Sequence, residues 1–183
     1  MTAILGLSGS LRRYSYNSGL LRAAQALMPE GANLEIGSIA AVPLYNGDDE
    51  EASGIPLAVS QIKDAIAKAD GLLLATPEYN NSVPGVFKNA IDWCSRPPAD
   101  IKRVFGGKPV AVIGASLGGF GTILAQNAWL PVLRTLGMEL WTEGRLMLSG
   151  AGKAFDAQGN LTDETARERL REYVEGFVTA LSR

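Results

Sequence analysis

The run Gly71-Leu72-Leu73-Leu74-Ala75 decides how this sequence is expected to fold. It contains only apolar residues and one glycine, and the turn-forming pair Thr76-Pro77 follows it directly. Because polar residues do not alternate with apolar ones, the run predicts a strand buried on both faces of a parallel sheet. Four further strands are expected on similar grounds, at residues 3–7, 33–39, 109–113 and 138–141.

Helical patterns lie between these strands. Apolar residues recur at helical spacing over residues 20–27, 59–69 and 83–94. A fourth helix is expected from Thr122 to Leu136, kinked or broken at Pro131, because proline lacks a backbone donor.

The last helix is the clearest pattern in the chain. Asn160 or Thr162 is expected to cap it, and Asp163 and Glu164 suit its positive end. An apolar stripe then continues to Leu181, which indicates one buried face.

The alternation of strands and helices predicts an α/β fold with a doubly wound parallel sheet. Five strands favour the flavodoxin-like order 2-1-3-4-5. A chain of 183 residues that is 46% hydrophobic suits one domain, so residues 1–183 are expected to form a single flavodoxin-like unit. Ligands of such sheets bind beyond the carboxyl ends of the strands. The loops after strands one, three and four are therefore the candidate site.

Composition excludes several kinds of chemistry. The chain has no histidine and one cysteine, Cys94, so internal disulfides, Cys/His zinc sites and Ser-His or Cys-His nucleophiles are impossible. Cys94 itself is expected in the core. Hydride or electron transfer carried by a cofactor fits this inventory better than hydrolysis does.

Charge and hydropathy limit the partners and the compartment. A net charge of −2 without a basic stripe argues against nucleic acid. No apolar run approaches the roughly 18 residues of a membrane span, so a cytoplasmic protein without a membrane partner is expected. The acidic run Asp48-Asp49-Glu50-Glu51 is expected to form a solvated surface turn instead of a metal site.

The first loop, residues 8–17, has the composition of an anion site. It reads Ser8-Gly9-Ser10-Leu11-Arg12-Arg13-Tyr14-Ser15-Tyr16-Asn17 and leads into a helix. A helix N-terminus offers unpaired N–H groups and positive potential, and two guanidinium groups add to it. The loop lacks the P-loop and G-x-G-x-x-G patterns, so a terminal phosphate monoester such as that of FMN suits it better than a pyrophosphate. The alternative is that Ser15, Asn17 or Ser18 merely caps the helix.

The second loop, residues 76–85, is stiffened by Pro77 and Pro84. Between them Glu78, Tyr79 and Asn80 offer groups that could face the polar edge of a planar ring. A purely structural turn would explain the prolines but not these three residues together.

The third loop, residues 114–121, matches the G-x-S-x-G nucleophile elbow of α/β hydrolases at Ser116. An elbow serine needs a base, ordinarily histidine, which this chain lacks. The other interpretation is that small residues let a flat ligand approach the backbone, with Ser116 and Gly119 supplying hydrogen bonds.

These loops together resemble a known family. Residues 9–17 are similar to the G-S-x-R-x-x-S-x-N phosphate loop of the NAD(P)H-dependent FMN reductases. Residues 77–93 resemble the second signature of that family, and Ser116 with Gly118-Gly119 resembles the third. The likeness extends to about Leu136 and is strongest to bacterial quinone, azo-dye and chromate reductases.

The resemblance implies a specific activity and a specific site. It implies FMN near a dimer interface, with dimers often paired into tetramers, and two-electron reduction of quinones or other small acceptors by NADH or NADPH. A ping-pong order is expected, because nicotinamide and acceptor must each come within about 3–3.5 Å of the same open ring face. Ser10, Arg12, Ser15 and Asn17 would hold the phosphate. Pro77, Glu78, Tyr79 and Asn80 would border the isoalloxazine ring, and Ser116 with Gly119 its opposite edge.

No covalent catalyst and no metal belong to that scheme. The alternative is a flavodoxin-like electron carrier that binds FMN without oxidising NAD(P)H. The resemblance assigns no role to residues 144–159.

Overall fold

A computed structural model describes residues 1–183 and contains one parallel sheet. Its strands are β1 (Thr2–Ser8), β2 (Ala32–Gly37), β3 (Gly71–Ala75), β4 (Pro109–Ala115), β5 (Glu139–Leu140) and β6 (Leu146–Leu148). The order is β2-β1-β3-β4-β5, which confirms the predicted flavodoxin-like topology. The carboxyl ends of β1, β3 and β4 therefore lie side by side at one edge.

The prediction of five strands was wrong by one, because two short strands share the edge beside β4. Pro109 and Val110 pair with β5, whereas Ile113 to Ala115 pair with β6. Residues 141–145 leave the sheet between them. A three-residue strand is too short to produce a pattern that distinguishes it from a loop.

Eight helices surround the sheet. They are α1 (Tyr16–Ala26), α2 (Gly47–Ser53), α3 (Leu57–Lys68), α4 (Gly85–Cys94), α5 (Ile101–Val104), α6 (Ile123–Thr135), α7 (Ala151–Ala154) and α8 (Glu164–Leu181). Helices α1, α7 and α8 pack on one face of the sheet, and α3 to α6 pack on the other. Both faces are thus covered, as the apolar strands require. None of the helices combines the length and the apolar character needed to cross a membrane.

Two local predictions about helices are corrected, and a third is narrowed to one of its alternatives. The acidic run forms helix α2 and not a turn, with the Asn46 side chain accepting from the Asp48 N–H at 3.1 Å. Asp163, and neither Asn160 nor Thr162, caps α8, accepting from the Ala166 N–H at 2.7 Å. Pro131 lies inside α6, so of the two expected effects, a kink or a break, the break does not occur.

Candidate functional site

The first and second loops touch each other at Gly9. Its N–H donates to the Ala75 carbonyl at the end of β3, at 2.9 Å. A Cβ added to Gly9 would lie 2.9 Å from Cδ of Pro77 and would collide with the ring of Phe87. Only glycine therefore permits this approach, which places the first loop against the second.

The first loop presents donors toward the start of α1. The N–H groups of Tyr16 and Asn17 in the first turn have no partner within the chain. Ser10 is partly exposed, Arg12 is exposed, and no carboxylate occurs between Ser8 and Ser18. Positive potential and free donors are the requirements of an anion site.

Arg12 is held in place by two contacts. Its Nη2 donates to the Tyr14 carbonyl at 2.7 Å. Its guanidinium carbon lies 4.8 Å from the centroid of the Tyr16 ring, within the range of a cation–π interaction. The Tyr16 ring in turn packs against Phe155, with the ring centroids 5.0 Å apart. Tyr16 therefore supports Arg12, a role that the sequence did not predict.

The side chains of Ser15 and Asn17 make hydrogen bonds that stabilise the fold. Ser15 caps α1, since its Oγ accepts from the Ser18 N–H at 3.3 Å, as the alternative interpretation proposed. The buried Asn17 side chain spans to the end of β4, donating to the Ala115 carbonyl at 3.0 Å and accepting from the Ala115 N–H at 2.9 Å. The Asn17 side chain is therefore committed to the fold, whereas its backbone N–H is free.

The second loop is a tight hairpin turn. Tyr79 and Ser82 exchange two backbone hydrogen bonds of 3.1 Å. Asn80 and Asn81 between them have φ values of 50° and 61°, the left-handed conformation that asparagine tolerates better than most residues. Pro77 is buried, while Tyr79 and Asn80 are exposed. Helix α4 begins only at Gly85, two residues later than predicted.

Glu78 reaches across to the third loop. Its Oε2 accepts from the N–H groups of Leu124 and Ala125 at 2.9 and 3.0 Å. The carboxylate thus lies at the N-terminus of α6, directly after the third loop. We expected Glu78 to border a ring, and the structure shows that its side chain has this other partner.

The third loop is open where a flat ligand would need space. Nothing lies within 4 Å of the position a Cβ would take at Gly118 or Gly119. Ser116 Oγ makes only one long contact, 3.5 Å, with the Gly118 carbonyl. Its hydroxyl therefore has no strong internal partner.

Residues 144–159, to which the sequence assigned no role, support two of these loops. The backbone N–H of Ser116 donates to the Leu148 carbonyl of β6 at 3.0 Å, and the Ser116 carbonyl oxygen accepts from the Ala151 N–H at 3.0 Å. Near the first loop, a Cβ at Gly159 would lie 2.9 Å from the Tyr14 carbonyl oxygen. This segment therefore backs both the first and the third loop.

Comparison with known proteins decides the family. Residues 2–153 match the model of the NADPH-dependent FMN reductase family, which is more than four-fifths of the chain. The chain belongs to this family. It is therefore an oxidoreductase of the FMN reductase class, as the loop motifs predicted.

Relatives and a solved structure agree with this assignment. An NAD(P)H-dependent FMN reductase of Pseudomonas aeruginosa is 48% identical over 95% of this chain and 92% of its own. A 2-hydroxy-1,4-benzoquinone reductase of Burkholderia is 40% identical over 92% and 90%. The flavoenzyme FerB of Paracoccus denitrificans, an NAD(P)H:acceptor oxidoreductase, superposes with a TM-score of 0.87 at 35% identity, covering 100% of this chain and 98% of its own.

The residues of this FMN reductase family member fit the cofactor of the family. Guanidinium, hydroxyl and free N–H donors in the first loop suit a phosphate monoester. The open backbone at Gly118 and Gly119 would admit a planar ring without a clash. FMN contains both groups, so the donor set and the space agree with its binding.

Two other features lie outside these loops. An apolar cavity of about 460 Å³ between α6 and the β5–β6 edge is lined by Leu130, Trp141 and Met147, among others, and by none of the predicted site residues.

Cys94 is fully buried in α4, and burial raises the pKa of its thiol to about 12. A protonated, inaccessible thiol has no role in the chemistry, which agrees with its expected place in the core.

Proposed function

We propose that residues 1–183 form one FMN-binding domain that transfers electrons from NAD(P)H to quinones. The observation that carries the proposal is the position of Arg12 over Tyr16, beside the free N–H groups at the start of α1. This cationic donor set adjoins the second loop through the close approach at Gly9. The arrangement supports binding of a phosphate next to a planar ring.

Four residues of the first loop hold the phosphate in this proposal. Ser10 and Arg12 do so with their side chains. Ser15 can donate its hydroxyl hydrogen while its oxygen accepts from Ser18. Asn17 takes part through its backbone N–H, because both ends of its side-chain amide are bonded to Ala115.

The second and third loops border the isoalloxazine in this proposal. Pro77, Glu78, Tyr79 and Asn80 line one edge, with Glu78 contributing its backbone. Ser116 and Gly119 line the opposite edge, which the absence of side chains at Gly118 and Gly119 favours.

The chemistry is that of the cofactor, and the chain positions it. Bound FMN supplies two-electron redox chemistry, accepting electrons from NAD(P)H and giving them to the acceptor. The side chains bind the phosphate and orient the ring, and none forms a covalent bond. The 40% identity to a benzoquinone reductase supports quinones as acceptors. The proposal also includes azo dyes and chromate as further acceptors, and a cytoplasmic location, where NAD(P)H is produced.

Self-association into a dimer or tetramer belongs to the same proposal. The side chains of Leu117 and Phe120 on the third loop are 70% and 76% exposed, and Ile123 and Leu124 at the start of α6 are 43% and 40% exposed. Large apolar side chains gathered at one place on a surface favour a protein contact. Light scattering after gel filtration tests this, and a monomer at every concentration would contradict it.

Steady-state kinetics test the reductase proposal against a flavodoxin-like carrier. Hydride transfer needs reacting atoms about 3–3.5 Å apart, so nicotinamide and quinone cannot occupy one ring face together. With NAD(P)H varied at several fixed quinone concentrations, parallel double-reciprocal lines are expected. Intersecting lines would contradict the ping-pong order, and a protein that binds FMN but does not oxidise NAD(P)H would be a carrier.

A further inference from the structure

Helix α6 begins without a cap of its own. Thr122 stands at the cap position with a φ of 71°, and its side chain makes no capping hydrogen bond. The first turn contains no acidic residue. The N–H groups of Leu124 and Ala125 have no acceptor within the helix or its preceding loop, so they need one from elsewhere.

Glu78 supplies that acceptor from the second loop. One carboxylate oxygen accepts from both N–H groups, at 2.9 and 3.0 Å, across a separation of 46 and 47 residues in sequence. The negative charge also lies at the positive end of the helix dipole. The N-terminus of α6, which follows the third loop, is therefore capped by a carboxylate from the second loop.

A second contact ties the same two elements together one turn further along. The indole N–H of Trp129 in α6 donates to Thr76 Oγ1 at 3.0 Å, and both residues are fully buried. Glu78 and Thr76 thus bind α6 to the second loop at two points. Of the two, only the Glu78 contact lies at the N-terminal end of α6, which is joined directly to the third loop.

We propose that Glu78 is a positioning residue whose carboxylate, through α6, sets the third loop against the second and thereby the affinity for FMN. The inference rests on the proposed function, because these are the loops proposed to border the ring. In the proposed function the backbone of Glu78 borders the ring, whereas its carboxylate binds the helix that follows the opposite loop. Cofactor binding and the Glu78–α6 contact are then coupled, and each strengthens the other.

Three substitutions of Glu78 separate the effect of its negative charge from the effect of its side-chain length. Glu78→Ala removes the acceptor, Glu78→Asp keeps the charge but is one methylene shorter, and Glu78→Gln keeps the reach without the charge. We expect FMN to bind about tenfold more weakly to the first two variants, and about two- to threefold more weakly to the third. Quenching of FMN fluorescence measures the dissociation constants, and Glu78→Gln remains informative if Glu78→Ala fails to fold.

Asp163→Ala is the matched control. Asp163 is also a carboxylate cap, accepting from the Ala166 N–H at 2.7 Å, but it serves α8 and no loop of the site. This variant should lose thermal stability and keep its FMN affinity within about twofold of wild type. The comparison separates loss of a helix cap from loss of loop position.

Hydrogen exchange gives a readout that does not depend on activity. In the wild type, FMN should slow exchange at the Leu124 and Ala125 amides, and in Glu78→Ala this effect should disappear. If Glu78→Asp and Glu78→Ala bind FMN as tightly as Asp163→Ala, with the same FMN-dependent protection as wild type, the inference is wrong while the proposed function stands. A wild-type chain that takes up no FMN would overturn both.

Discussion

The side chain of Asn17 is bonded at both amide atoms to the backbone of Ala115, at 3.0 and 2.9 Å. Asn17 is 3% exposed and Ala115 is 3% exposed, so water cannot replace these bonds. Asn17→Ala should therefore lower the free energy of unfolding by roughly 2–4 kcal/mol, because two buried backbone groups lose their partner. Urea denaturation measures the change. The exposed Asn127, whose side chain makes no hydrogen bond, provides the control variant Asn127→Ala. Equal urea midpoints of unfolding for Asn17→Ala and Asn127→Ala would contradict the prediction.

Arg12→Ala should weaken FMN binding by roughly 1.5–3 kcal/mol, or about 10- to 150-fold, because a charge-assisted contact with the phosphate is lost. The measurement is titration of the apoprotein with FMN. Arg13→Ala removes the same charge one residue away, where the guanidinium lies over Tyr14 at 5.3 Å, and should have a smaller effect. Unchanged affinity in Arg12→Ala would remove Arg12 from the site.

Tyr16 should affect FMN affinity only through its ring. Tyr16→Phe keeps the aromatic face beneath Arg12 and should bind FMN as the wild type does. Tyr16→Leu loses a cation–π contact of about 0.5–1 kcal/mol, so the dissociation constant should rise about two- to fivefold. The same titration distinguishes them. If the two variants behave alike, the ring does not orient Arg12.

Ser116→Ala should keep quinone-dependent NAD(P)H oxidation within about tenfold of wild type, since a neutral hydrogen bond contributes roughly 0.5–1.5 kcal/mol. Loss of a nucleophile would cost a factor of roughly 10⁶ instead. Initial rates with the FMN content measured on each sample decide the matter. Complete loss of activity with FMN still bound would indicate a covalent role for Ser116.

The sheet could be predicted because its central strands are buried on both faces. Residues 71–75 were predicted as a strand with the bounds that the structure has, and the runs at residues 3–7 and 109–113 lie within β1 and β4. Their apolar composition follows directly from being covered by helices on each side. The alternation with helices indicated a doubly wound parallel sheet, and the count of five strands favoured the order 2-1-3-4-5.

Elements that lack a recognisable local apolar pattern escaped prediction. Helix α2 has no buried residue, so no apolar periodicity marks it, although Asn46 followed by three acidic residues in the first turn is a local capping signal. Strand β6 has only three residues, Leu146–Leu148, and depends on pairing with β4. Its existence is decided by tertiary contact and not by local sequence.

The candidate site was predictable as a set of loops but not as a set of contacts. Motifs placed Arg12, Glu78 and Ser116 at one edge of the sheet. The capping of α6 by Glu78 and the support of Arg12 by Tyr16 depend on how separate elements pack. Sequence spacing contains no information about a contact across 46 residues, so these partners required the structure.

Titration of the purified apoprotein with FMN, followed by the rate of quinone-dependent NAD(P)H oxidation, tests the central claim most directly. Protein fluorescence and activity should saturate together at one FMN per chain, and heat should release a compound with the mass of FMN. Failure to take up FMN, or NAD(P)H oxidation that does not depend on added FMN, would contradict the account.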